Sequence, residues 1–147
     1  MSEKLKVVFD TQVFLRSLIK SSSASSRLVR GFQEGRYTLY IADETEAEII
    51  DVLNRPEIRT KFPQITDELV QKTPESLKQA QRVILEPIDP ISRDPKDDIF
   101  LACAKAAQAD YLVSEDKDLL VLESYLETKI VNVIEFLTIL DDQSSKD

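Results

Sequence analysis

Short apolar runs rich in β-branched and aromatic residues alternate with helix-spaced patterns along most of this chain. Residues 5–9, 37–41, 111–114 and 129–131 read as strands. Helical patterns fall at 13–19, 27–34, 43–54, from 67 onward, at 94–106, 119–126 and 134–140. A parallel strand pair needs a crossover, and a helix is the usual one. The alternation therefore predicts a three-layer α/β/α domain with a central, mostly parallel sheet. At 147 residues the chain suits one domain, which we place at 1–140, followed by a polar tail at 141–147.

Local signals set the element ends. One hydroxyl of the serine run 21–26 caps the second helix, and Gly35 ends it. Asp43-Glu44-Thr45-Glu46 resembles a capping box, and the helix that it opens stops before Pro56. Thr66 caps a further helix, which Thr73-Pro74-Glu75 restarts; residues 83–85 read equally as helix or as a short strand. Asp94 is placed as a cap, with Pro95 at the first helical position and Asp97 three residues after the cap. Ile99, Ala102, Cys103 and Ala106 then form a small apolar face against the sheet. Asp98 falls on the open first turn, where its carboxylate can point into a cleft.

Missing residues narrow the chemistry. The chain has no histidine, which excludes Ser-His-Asp and Cys-His catalysis and His-ligated zinc. Two glycines, Gly31 and Gly35, exclude a P-loop and a dinucleotide fingerprint. A single cysteine excludes an internal disulfide. No apolar run is long enough to span a membrane and no secretory signal is evident, so a cytoplasmic protein is expected. Carboxylates, lysines, arginines and hydroxyls remain. The net charge of −8, from 27 acids and 19 bases, counts against an avid nucleic-acid binder unless acids gather around a cation.

Such a gathering is expected from topology. Ligand sites in parallel sheets form at the carboxyl ends of strands, near a switch in strand order. Asp10 and Asp116 each lie just past a strand, and Glu48 and Asp98 lie near helix starts at the same edge. Each acid has a plainer reading: Asp10 as an Asx-turn, Glu48 as a solvated helix residue, Asp94 and Asp97 as caps, Asp98 as a complement to the helix dipole, Asp116 as a cap. Their shared edge favours function. Carboxylates without histidine or cysteine are hard oxygen ligands suited to Mg²⁺ or Mn²⁺.

The segments Val7-Val8-Phe9-Asp10-Thr11-Gln12-Val13, Ala47-Glu48-Ile49-Ile50-Asp51-Val52-Leu53, Arg93-Asp94-Pro95-Lys96-Asp97-Asp98-Ile99-Phe100-Leu101-Ala102 and Tyr111-Leu112-Val113-Ser114-Glu115-Asp116-Lys117-Asp118 together resemble a PIN-domain nuclease. The resemblance spans nearly the whole chain, and is greatest to toxin components of bacterial type II toxin–antitoxin pairs. It implies a Mg²⁺- or Mn²⁺-dependent endoribonuclease that cuts single-stranded RNA with metal-activated water. By position, Asp10, Glu48, Asp98 and Asp116 would be the catalytic, metal-binding acids. Asp118 would be an auxiliary acid, Ser114 an orienting hydroxyl and Thr11 a brace. Gln12 stands where the family usually has Asn, and Glu115, where a small residue is common, would add charge at the cleft mouth.

Arg93, Lys96, Lys117 and Arg27 are candidate substrate-phosphate contacts. A cognate antitoxin is the expected protein partner, together with self-association into a dimer or larger homo-oligomer through Phe14, Leu15 and Leu18. The alternative is a PIN-fold metal-binding or partner-binding module with little or no turnover, which the acidic charge and Gln12 favour. A phosphatase using Asp10 as nucleophile would want a second acid where Gln12 sits.

Overall fold

A computed structural model describes residues 4–92 and 94–146, with side chains through residue 143. Its centre is a six-stranded sheet of β1 (Lys6–Phe9), β2 (Thr38–Ile41), β3 (Gln81–Arg82), β4 (Tyr111–Val113), β5 (Ser124–Tyr125) and β6 (Thr128–Val131). The spatial order is β3-β2-β1-β4-β6-β5, parallel throughout except where β5 runs antiparallel to β6. The chain builds outward from β1 to β2 and β3, then crosses back to place β4 on the other side of β1. That reversal opens a crevice where β1 and β4 end.

Strand periodicity splits the core into two layers. Val7 and Phe9 point to one face and Val8 to the other, and Val113 and Leu112 divide in the same way. On the first face the strands pack against α1 (Thr11–Ile19), α2 (Ala24–Gln33), α3 (Asp43–Asn54) and α8 (Val133–Lys146). Here Phe9, Phe14, Tyr37, Tyr111 and Phe136 form a chain of edge-to-face rings, with centroids 5.4–5.9 Å apart. On the second face lie α6 (Asp98–Ala107) and α7 (Lys117–Leu120). Buried Ala102, Cys103, Ala104 and Ala107 let α6 approach the strands closely. The mostly parallel α/β sheet flanked by helices is as the alternation predicts.

Several details depart from the sequence reading. Pro56 opens a separate short helix, α4 (Pro56–Lys61), because proline needs no N–H partner at the first position. Pro74 sits inside one continuous helix, α5 (Asp67–Ser76), while Thr73 Oγ1 donates to the Leu69 carbonyl at 3.1 Å. The helix expected at 119–126 stops at Leu120. Glu123 and Leu126 adopt positive φ (63° and 53°), and a β5–β6 hairpin takes the place of the last turns. The residues read as a polar tail continue α8 through Lys146. Phe14, named for self-association, is buried inside the subunit, and Leu15 and Leu18 are half-buried.

Candidate metal centre

Asp10 ends β1 and caps α1: its Oδ1 accepts the Val13 N–H at 3.1 Å. Its own N–H donates to the Val113 carbonyl at 3.1 Å, tying the ends of β1 and β4 together. The other carboxylate oxygen receives the Ser114 hydroxyl. Ser114 Oγ in turn accepts the Asp116 N–H at 2.9 Å, so one fully buried hydroxyl connects the loops after both strands. Asp116 then caps α7, accepting the Asp118 N–H at 2.8 Å. Burial pushes the Asp10 carboxyl up from 3.8 to about 6, against the hydrogen bonds from Ser114 and Val13; the Asp116 charge raises it further.

The fourth acid differs from the one expected. Asp98 faces away from the crevice. Its Oδ1 accepts the Ser92 N–H at 2.8 Å and its Oδ2 the Ile91 N–H at 3.4 Å, so it pins the loop before α6. Asp97 faces the crevice instead. Burial and then the neighbouring Asp116 carboxylate push its carboxyl from 3.8 to about 7. The reason lies in residues 94–97, which form a turn rather than the first turn of a helix: the Asp97 N–H reaches the Asp94 carbonyl at 2.9 Å, and Asp94 Oδ1 takes the Lys96 N–H at 3.0 Å. α6 begins only at Asp98. Asp-Pro-Lys-Asp is a favourable type I turn sequence, with Asp first and Pro second, and that signal identifies Asp97.

Asp97, Asp116 and Asp118 each offer a carboxylate oxygen within 4.8 Å of the others. Asp10, Glu48 and Asp97 line the same cleft of about 290 Å³, together with Asp116, Thr11 and Gln12. Like charges this close resist joint ionisation, and a hard divalent cation relieves that cost. The donor set fits such an ion. The Thr11 hydroxyl oxygen is buried at the cleft without a hydrogen-bond partner. Gln12 is exposed at its rim.

Glu48 projects from α3 toward the cleft, 3.6 Å from Arg55 Nη2. Arg55 lines the cleft as well, with no motif in the sequence to signal it. Lys96 lines it too, whereas Lys117 and Arg27 are exposed outside it. Arg93 lies outside the described residues. Glu115 adds no charge at the mouth: its carboxylate accepts the Val133 N–H at 3.2 Å, at the start of α8.

The PIN domain family profile matches residues 6–118, which contain all of these acids. The chain belongs to the PIN domain family. PIN domains are generally nucleases, and this one has a carboxylate cluster able to hold a divalent metal. Among solved structures, the crystal structure of PAE2754 from Pyrobaculum aerophilum aligns over 94% of this chain and 98% of that one, at 14% identity and a TM-score of 0.47. No curated protein matches the chain significantly. No helix among the described residues of this PIN domain is long and apolar enough to cross a membrane.

Proposed function

We propose that this PIN domain is a Mg²⁺- or Mn²⁺-dependent endoribonuclease that cuts single-stranded RNA, acting as the toxin of a toxin–antitoxin pair. The observation that carries this reading is the convergence of Asp10, Glu48, Asp97 and Asp116 on one cleft where the strand order reverses. Asp97 takes the metal-binding role expected of Asp98, and Asp118 supports Asp116 at the start of α7.

Bound there, the cation would lower the pKa of a coordinated water and stabilise the departing phosphodiester oxygen. The chain's own residues prepare the site. Ser114 fixes Asp10 and Asp116 relative to each other, and the N-terminal turns of α1 and α7 hold those two carboxylates in place. Glu48, which reaches the cleft from α3, can bind the ion or orient water. Lys96, which lines the cleft, would receive a substrate phosphate. A cognate antitoxin would keep the nuclease inactive, and co-purification with the product of a neighbouring small gene tests that pairing.

The deciding experiment is cleavage of a labelled single-stranded RNA with Mn²⁺, Mg²⁺ or EDTA, using wild type, Asp10→Asn and Asp97→Asn. Cleavage that needs metal and disappears in both variants is expected. Cleavage that persists in both would overturn the site. A folded wild type that binds Mn²⁺ but leaves RNA intact would instead support a metal-binding or partner-binding module, the reading that the net charge of −8 favours.

A further inference from the structure

Arg55 occupies the single residue between α3 and α4, with φ −64° and ψ 133°. Pro56 follows and restricts it to this extended region. Its carbonyl accepts the Ile58 and Arg59 N–H groups, both at 3.0 Å, so the backbone is held at both ends. The guanidinium is held as well. Nε and Nη2 reach Asp51 Oδ2 at 3.4 and 3.2 Å, on the α3 turn beside the cleft.

The contact with Glu48 is different in kind. At 3.6 Å it is an ion pair without a hydrogen bond. Among the described residues Nη1 has no hydrogen-bond partner, and about a third of the side chain is exposed. The other arginines nearby are committed, Arg59 to Asp67 and Arg82 to Asp43 and Glu46. Among the described residues, Arg55 is thus the arginine that lines the acidic cleft with donors to spare.

We propose that Arg55 is the substrate-phosphate fork of this nuclease, held off by Glu48 until a cation occupies the cleft and then presented to the RNA backbone. Asp51 anchors one edge of the guanidinium in both states. When the cation takes up Glu48, the loose Nη2 contact is released and the free edge faces the cleft. A planar fork suits two oxygens of one phosphate, which a lysine ammonium matches less well. The device also explains how an acid-lined cleft accepts a polyanion only after it is loaded. This inference rests on the nuclease reading.

The test uses full-length protein and measures two bindings apart from turnover. Mn²⁺ affinity is read by electron paramagnetic resonance, and binding of a nuclease-resistant single-stranded RNA, its length verified after each reading, by fluorescence anisotropy in Mn²⁺. In Arg55→Ala, Mn²⁺ should bind severalfold more tightly, because a competing cation leaves Glu48. RNA should bind about tenfold more weakly, and the slope of log affinity against log salt should fall by about 0.7. Arg55→Lys should fall between wild type and Arg55→Ala for RNA. Thermal melting identifies any variant that does not fold, in which case the wild type against Arg55→Lys comparison decides. Equal RNA affinity and salt slope in wild type and the variants, with wild-type cleavage intact, would overturn the role of Arg55 alone. A metal-loaded wild type that does not bind RNA would overturn both readings.

Discussion

Ser114 donates its hydroxyl hydrogen to Asp10 across the gap between β4 and β1. The same oxygen accepts the Asp116 N–H, so the spacing of two cleft acids depends on one buried hydroxyl. Among the described residues on the β4 side, the only other hydrogen bond to the Asp10 side chain comes from the backbone N–H of Glu115.

Ser114→Ala leaves the buried Asp10 carboxylate short of a donor. It should cost about 1–3 kcal/mol of stability at pH 8, measured by urea unfolding. The Ser114 bond favours the ionised acid and opposes the rise in its pKa. The cost should therefore shrink below pH 6, where Asp10 is protonated. A pH-independent loss would mean that Ser114 acts through packing alone.

Asp10 and Asp97 both have folded pKa values above the ordinary 3.8, at about 6 and about 7. The unfolded chain therefore releases these two protons at lower pH than the folded chain does. Their contribution to stability is complete below about pH 4 and is lost as pH rises through 6 and 7. Metal-free protein should melt at progressively lower temperature across that window. Affinity for Mn²⁺ should rise over the same window and level off above it, since the ligands must be ionised. Asp97→Asn should flatten the upper part of the melting profile.

The adjacent acids Asp97 and Asp98, at the start of α6, should behave oppositely. Asp97→Asn should weaken Mn²⁺ binding by at least tenfold, while metal-free stability rises by on the order of 1 kcal/mol as repulsion from Asp116 is removed. Asp98→Ala removes the acceptor for the Ile91 and Ser92 N–H groups. It should cost about 1–2 kcal/mol and leave Mn²⁺ affinity within about twofold. Titration calorimetry with parallel unfolding curves separates the two.

Glu115→Ala should behave as a cap mutation. Losing the acceptor for the Val133 N–H at the start of α8 should cost about 0.5–1 kcal/mol, with no change in Mn²⁺ affinity. Weaker metal binding in this variant would place the carboxylate at the cleft after all.

The sheet was legible because its strands are short apolar runs separated by helix-spaced ones, and Asp10 and Asp116 follow two of those runs directly. Asp97 was obscured by geometry. A helix turns about 100° per residue, so starting α6 at Pro95 instead of Asp98 exchanges the acid that faces the cleft. The hairpin at 124–131 was obscured differently. Leu119, Leu120, Leu122 and Leu126 carry a helix-compatible spacing, while the turns at Glu123 and Leu126 use left-handed backbone without a glycine to signal it. Arg55 carried no signal, because its place at the cleft comes from a junction between two helices.

The two outermost strands, β3 and β5, are each two residues long. A sheet exposes unpaired N–H and C=O groups along its borders, and a long border offers a template on which further chains can zip. Here both borders end after two residue pairs, β3 carrying a glutamine and an arginine and β5 running counter to its neighbour. The fold thus combines a sheet with a strongly apolar interior and borders too short to seed fibrils, so stacking of neighbouring molecules edge to edge is disfavoured even where the chain is crowded.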